Sequence, residues 1–216
     1  MFAAALVVTA TGELPDLLAV TIGVAASREA HGPEVWVAGT HGVVLVYLPR
    51  KSLWRSVPAA NSGDALVLPR MVYHGITMRG TEVWLAGSLE GVGPTLAVAT
   101  PNATADSLST NAFGVAVVAL NASLTSGASA TDTFLAIHGV GGTTGMVAVG
   151  TSGLAVRRWW NATANDGAGA WVWNRVVLPS HLSAHNTTIR GVVTTDAAVY
   201  VCIGLHAARV VAVGMV

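Results

Sequence analysis

One phrase recurs four times along the chain, and a fourfold repeat restricts the fold more than any other feature of the sequence. The copies are "GVAASREAHGPEVWVAG" (23–39), "GITMRGTEVWLAG" (75–87), "GVGGTTGMVAVG" (139–150) and "GVVTTDAAVYVCIG" (191–204). Each begins with Gly and an aliphatic residue, crosses a polar turn of varying length, and enters an apolar run closed by Gly. The closing residues Gly39, Gly87, Gly150 and Gly204 stand 48, 63 and 54 residues apart (87 − 39, 150 − 87, 204 − 150).

The phrases read as strands. Val, Ile, Thr, Trp and Tyr fill the runs, Gly and polar pairs interrupt them, and no segment sustains apolar residues at i, i+3, i+4 and i+7 for three helical turns. Helix is therefore expected to be scarce. The run "EVWVAG", with Trp36 in one copy and Trp84 in the related "EVWLAG", is apolar at successive positions, which suits a strand covered on both faces. The closing Gly then lets the chain turn without a side chain at a crowded centre. Periods near 50 residues match the roughly 40 to 50 residues of a propeller blade. The expected fold class is all-β, a β-propeller of about four blade-like repeats, small or partial, in one domain spanning 1–216. The blades are placed at 17–71, 72–133, 134–186 and 187–216, with 1–16 as a closing strand, since the last copy lacks an obvious third-strand loop and Trp. Completion of a larger propeller by another chain is the alternative.

After each closing Gly the chain continues alike, as "THGVVLVYLPRKSLWRSVPA" and "TSGLAVRRWWNATANDGAGAWVWNRVVLP". This resembles the Asp-box (BNR-type) β-propellers and the related organellar assembly-factor propellers. The matching positions are Trp36, Val37, Ala38, Gly39, Gly42 and Trp54 in one blade, and Val149, Gly150, Gly153, Asp166, Gly167 and Trp171 in another. "TANDGAGAW" carries one residue more than the family phrase, and "LPRKSLW" lacks its Asp and Gly. The box is a turn-stabilising device, so its decay points to divergence. The resemblance implies a sialidase-like or carbohydrate-binding propeller, or an organellar assembly factor, beside the reading favoured below.

Hydrophobic residues make up 52% of the chain and charged ones 10%, against about 25% charged in an ordinary soluble domain. A surface so poor in charge suits burial in an assembly or a coat of sugar. Eleven basic residues balance eleven acidic ones, so no basic field attracts nucleic acid. The longest apolar runs, 113–120 and 210–216, are strand-length, well short of the roughly 20 residues of a membrane helix, so no membrane span is expected. "MFAAALVVTATGE" has no basic residue before its apolar run and reads as a strand rather than a signal peptide.

Candidate chemistry is sparse. A sialidase needs an arginine cluster, a tyrosine nucleophile with glutamate, and an acid/base carboxylate. Arg79, Arg158, Arg190, Tyr73 and Glu90 supply the types but sit in none of the catalytic motifs, so no catalytic residue is assigned. His181 and His185 have i, i+4 spacing but lack a third ligand, so neither a metal nor another cofactor is expected. Cys202 stands alone in an apolar run and reads as a small buried hydrophobe. Trp159 and Trp160 point to opposite faces of a strand, and one is a candidate interaction anchor. Asn102, Asn121, Asn161 and Asn186 each open Asn-x-Ser/Thr. Eight Asn in a chain with 34 Ser and Thr among 216 residues give about 8 × 34/216, roughly 1.3 such sequons by chance. Four are therefore an excess, and they suggest N-glycosylation. The expectation is a non-catalytic structural or docking subunit of a protein assembly, extracellular or at the cell surface, or alternatively in an organelle.

Overall fold

The computed structural model describes residues 15–23, 34–49, 52–101, 113–139, 145–165, 168–176, 178, 187–194, 199–203 and 211–213. These residues are mostly β. Fifteen strands form four antiparallel sheets, each a meander in chain order. Sheet 1 contains β1 (Leu17–Gly23), β2 (Glu34–Gly39), β3 (Val44–Leu48) and β4 (Leu53–Ser56). Sheet 2 contains β5 (Met71–Arg79), β6 (Glu82–Leu89), β7 (Gly93–Pro101) and β8 (Phe113–Val118). Sheet 3 contains β9 (Phe134–Gly139), β10 (Met146–Gly150), β11 (Ala155–Asn161) and β12 (Ala170–Arg175). Sheet 4 has β13 (Ile189–Thr194), β14 (Val199–Ile203) and β15 (Val211–Val213). The expected closing segment 1–16 and residue Gly204 lie outside the described residues, apart from Pro15 and Asp16.

The sheets stack in series through their first strands: β1 packs on β5, β5 on β9, and β9 on β13. No comparable packing joins β13 back to β1 among the described residues. Each junction encloses one apolar core. Trp36 and Ala38 of sheet 1 meet Tyr73, Ile76, Val83 and Leu85 of sheet 2. Trp84 and Ala86 of sheet 2 meet Phe134, Ile137, Met146 and Ala148 of sheet 3. Val147 and Val149 of sheet 3 then meet Ile189, Val192, Val199 and Val201 of sheet 4. Successive residues of β6 and β10 thus enter different cores, which is why their sequences are apolar without alternation.

Every first strand carries one bulge in its pairing with the second strand. Leu18, His74, Leu135 and Arg190 are the extra residues. Just before the bulge, Leu17, Tyr73, Phe134 and Ile189 pair with Gly39, Gly87, Gly150 and Ile203. The glycines are required there by approach rather than by torsion, since the φ of −166° at Gly39 and Gly150 is open to any residue. A Cβ on Gly39, Gly87 or Gly150 would fall on the carbonyl oxygen of Asp16, Val72 or Thr133 respectively. In sheet 4 the corresponding position is Ile203, one residue before the Gly204 that closes the sequence repeat.

The opening glycines are not equivalent to one another, contrary to the repeat as read from sequence. Gly75 and Gly191 directly follow the bulge, where sheets 1 and 3 have Ala19 and Ala136, whereas Gly23 and Gly139 end their strands. The position after the bulge is where neighbouring first strands meet. A Cβ on Gly75 would lie 2.9 Å from the Ala136 Cα, so only a small residue fits.

Connections also fasten one sheet to the next. After β2 and β10, Thr40–Gly42 and Thr151–Gly153 form matching 3-10 turns, with His41 and Ser152 at φ 56° and 54°. Gly42 backs onto the Leu68 carbonyl, and Gly153 N–H donates to the Thr187 carbonyl at 2.7 Å. Between sheets 1 and 2, helix α1 (Ser62–Val67) is capped by Asn61, whose Oδ1 accepts from Asp64 N–H at 2.9 Å. Its sequence gives no amphipathic period, only the Asn cap. Just before it, Ala59 makes a parallel bridge to Val115 and covers the outer edge of sheet 2.

Gly75→Ala should lower stability by about 1 to 3 kcal/mol through overpacking against β9. Gly191→Ala, where a Cβ meets only the Cys202 Cβ at 3.4 Å, should stay close to wild type. Urea unfolding midpoints compare the two.

Candidate functional site

Charged and aromatic groups converge at one place, where the β5–β6 hairpin of sheet 2 meets the β11–β12 hairpin of sheet 3. Glu82 and Trp84 are two apart on β6 and share a face. Trp84 Nε1 donates to Glu82 Oε2 at 2.9 Å. Sheet 1 repeats the device on β2, where Trp36 Nε1 donates to Glu34 Oε2 at 3.1 Å. From sheet 3, Arg158 places Nη1 3.4 Å from Glu82 Oε2. Its guanidinium lies over Trp84 at 4.5 Å and over Trp171 at 5.1 Å. Arg79 stacks on Trp171 at 3.9 Å, and Trp173 leans on Trp84 with ring centroids 5.7 Å apart. Burial lowers the pKa of Arg79 first, the nearby Arg158 charge lowers it further, and Glu82 opposes both. Guanidinium stays charged at neutral pH. The cluster can hold two sheets together.

The two adjacent tryptophans divide as the strand requires. Trp159 Nε1 donates to the Asn174 carbonyl oxygen at 2.9 Å, and the Asn174 amide donates to the Trp173 carbonyl at 2.8 Å. Trp160 is 38% exposed, meets Trp171 edge-on at 5.6 Å, and backs onto Gly169, where a Cβ would strike its ring. Trp36 is buried edge-on against Phe113 at 4.8 Å, and Trp54 lies beside Tyr47 at 5.2 Å.

The strand register corrects the pairing of repeats read from sequence. Trp54 sits opposite Tyr47 and Trp173 opposite Arg158, at corresponding positions of sheets 1 and 3. Trp173 is therefore the counterpart of Trp54. Trp171 stands two residues further out, on a hairpin that is longer in sheet 3.

Of the residues with catalytic types, only Arg79 and Arg158 come together. Tyr73 is fully buried in the core between sheets 1 and 2. Its hydroxyl has no hydrogen-bond partner among the described residues, and its pKa is raised by burial and then by the Asp64 charge. Glu90 is exposed and pairs with Arg70 at 3.9 Å, while Arg190 is exposed on β13. Cys202 is half-buried on β14. His181, His185, Asp166, Gly167, Asn102 and Asn186 lie outside the described residues. Among the described residues no group of His, Cys, Asp and Glu could hold a metal.

Two polar contacts had no signal in the sequence beyond residue type. Asp132 accepts from Ser129 N–H at 2.6 Å, from the Thr151 and Ser152 hydroxyls at 2.7 Å each, and from the Ser129 hydroxyl at 3.1 Å. Desolvation opposes its charge, but these hydrogen bonds outweigh it and hold the pKa at about 2. His138 of β9 takes the Thr194 N–H of β13 on Nδ1 at 3.1 Å, with the Thr194 hydroxyl 2.9 Å away. Burial lowers the pKa of His138 and of the bulge residue His74.

Both described sequons lie at turns. Asn121 Oδ1 accepts from Ser123 N–H at 3.0 Å. Asn161 Oδ1 accepts from Thr163 N–H at 3.0 Å and from its hydroxyl at 2.8 Å. In contrast, Asn61 and Asn174, outside any sequon, use their amide nitrogens within the fold. Protein-family models and curated protein sequences contain no match to this chain.

Arg158→Ala should lower stability by about 1 to 3 kcal/mol, and Arg158→Lys should recover only part of it, because the ammonium keeps the charge but loses the planar stack. Thermal melts of the two variants test this. The histidines predict a pH dependence. Their folded pKa values lie below the unfolded 6.5, so their stabilising contribution is complete above that pH and declines as the pH falls through 6.5. Asp132, held at about 2 against an ordinary 3.8, adds a second decline between those two values. Melting temperatures recorded from pH 7 to pH 2 should fall in these two windows.

Proposed function

We propose that the four sheets are blades of a small or partial β-propeller, and that the chain is a non-catalytic structural or docking subunit of a larger assembly. The observation that carries this reading is the open face of sheet 1. Leu17, Leu18, Val20 and Ile22 are 53%, 45%, 63% and 67% exposed, a hydrophobic strip that suits an interaction surface. The stacking of consecutive meanders of three or four described strands through their first strands supports the propeller reading. The charged cluster supports the non-catalytic one, because Arg79, Arg158 and Glu82 are engaged in joining sheets 2 and 3.

A location outside the cell or on its surface is part of the same proposal, with N-linked sugar at Asn121 and Asn161. Their amide nitrogens make no hydrogen bond within the described residues, and Asn121 is exposed. A sugar coat would also compensate for the scarcity of surface charge.

Cross-linking of the native material followed by mass spectrometry tests the docking role. Cross-links from another polypeptide or from a second copy of this chain should map next to β1, and the absence of both there would overturn it. Digestion with an amidase specific for N-glycans should reduce the intact mass, and Asn121→Gln with Asn161→Gln should each remove part of that difference. A native mass equal to the 22.0 kDa of the chain would refute glycosylation and favour an organellar location.

A further inference from the structure

Corresponding positions of the four first strands show what is missing on sheet 1. Just before the bulge, Tyr73, Phe134 and Ile189 are each 0% exposed, whereas their counterpart Leu17 is 53% exposed. Two residues beyond it, Ile76, Ile137 and Val192 are 9%, 5% and 8% exposed, and their counterpart Val20 is 63% exposed. In sheets 2, 3 and 4 these positions are covered by the preceding sheet of the series. Sheet 1 has apolar residues at both positions and lacks that cover among the described residues.

The opposite deficit appears on sheet 4. The position three residues beyond the bulge faces the following sheet. Thr77 of sheet 2 is 7% exposed there, and His138 of sheet 3 is tied to Thr194 of sheet 4. Their counterpart in sheet 4, Val193, is 52% exposed. One end of the series therefore presents an uncovered leading face and the other an uncovered trailing face. The exposed residues described at these positions, Leu17, Val20 and Val193, are apolar, and the same chain joins such faces three times internally.

We propose that the leading face of sheet 1 takes the trailing face of sheet 4 from a second copy of this chain. The occupant follows from continuity with the existing junctions: the surface that covers a leading face here is always the trailing face of a sheet of the same kind. Such a contact is head-to-tail, so it either closes or propagates. Two copies of four sheets would close a ring of eight, within the roughly four to eight blades of propellers. This inference rests on the docking role proposed above and names its partner.

Light scattering coupled to size exclusion, run on the full chain, tests it. The wild type is expected at twice the chain mass. Val20→Asp and Val193→Asp should each halve it, with the far-ultraviolet circular dichroism of the sheets unchanged. Ile22→Asp provides a second probe of the sheet 1 face. Leu66→Asp, at an 80% exposed position on α1, should keep the wild-type mass. Mixing Val20→Asp with Val193→Asp should restore a pair, because one variant retains an intact sheet 4 and the other an intact sheet 1. Retention of the wild-type mass by Val193→Asp would mean that two sheet 1 faces meet, and would overturn the head-to-tail contact. A single-chain mass for the wild type would overturn self-pairing. If another polypeptide then cross-links next to β1, the docking role stands without it, and if none does, both fall.

Discussion

Close approach between stacked sheets is the constraint from which the rest of this structure follows. Where sheets 2 and 3 meet, a Cβ on Gly75 would lie 2.9 Å from the Ala136 Cα, and the corresponding positions of sheets 1 and 4 carry the small residues Ala19 and Gly191. Within each of the first three sheets, Gly39, Gly87 or Gly150 lets the second strand pass the carbonyl just before the first strand's bulge. These small residues are surrounded by large ones, with Trp36, Tyr73, Leu85 and Phe134 all fully buried. Close-packed interiors transmit such differences in volume directly, because one added methyl group must displace backbone. The stacking direction is thereby set by where side chains are absent as much as by where they are present.

Polar groups follow the same geometry. Glu82, Arg158 and Arg79 interleave with Trp84, Trp171 and Trp173 across the junction of sheets 2 and 3. His138 bonds Thr194 across the next junction. Asp132 gathers the loop before β9 with the turn after β10. In a chain with 10% charged residues, much of the buried or half-buried polar chemistry is thus committed to joining segments. The two arginines that the sequence offered for a substrate carboxylate, Arg79 and Arg158, are stacked on tryptophan.

The sequence repeat and the structural repeat differ in phase, and the reason is physical. Sequence comparison anchors on the most visible residues, so it joined Gly23 with Gly75 and Trp54 with Trp171. Register anchors on hydrogen-bonded pairs, and it joins Ala19 with Gly75 and Trp54 with Trp173. Hairpins differ in length from sheet to sheet, so Gly23 and Trp171, which lie further along their hairpins, occupy register positions other than those of Gly75 and Trp54. Bulges leave no fixed signature in composition, and α1 is too short to show a helical period.

Strand identity, the fourfold order and the scarcity of helix were determined by the sequence itself, since period and β-branched content are local properties that survive without knowledge of partners. The both-sided burial of the second strands was also legible, in the unbroken apolar runs of "EVWLAG" and "MVAVG". Tertiary structure alone decided which faces meet. It brought Arg79 to Trp171 across 92 positions of sequence (171 − 79), buried Tyr73 between sheets 1 and 2, and left Leu17 and Val20 uncovered where their counterparts are enclosed. Those outcomes depend on how one sheet lies against the next, and contacts between segments far apart in the chain carry no period from which they could be read.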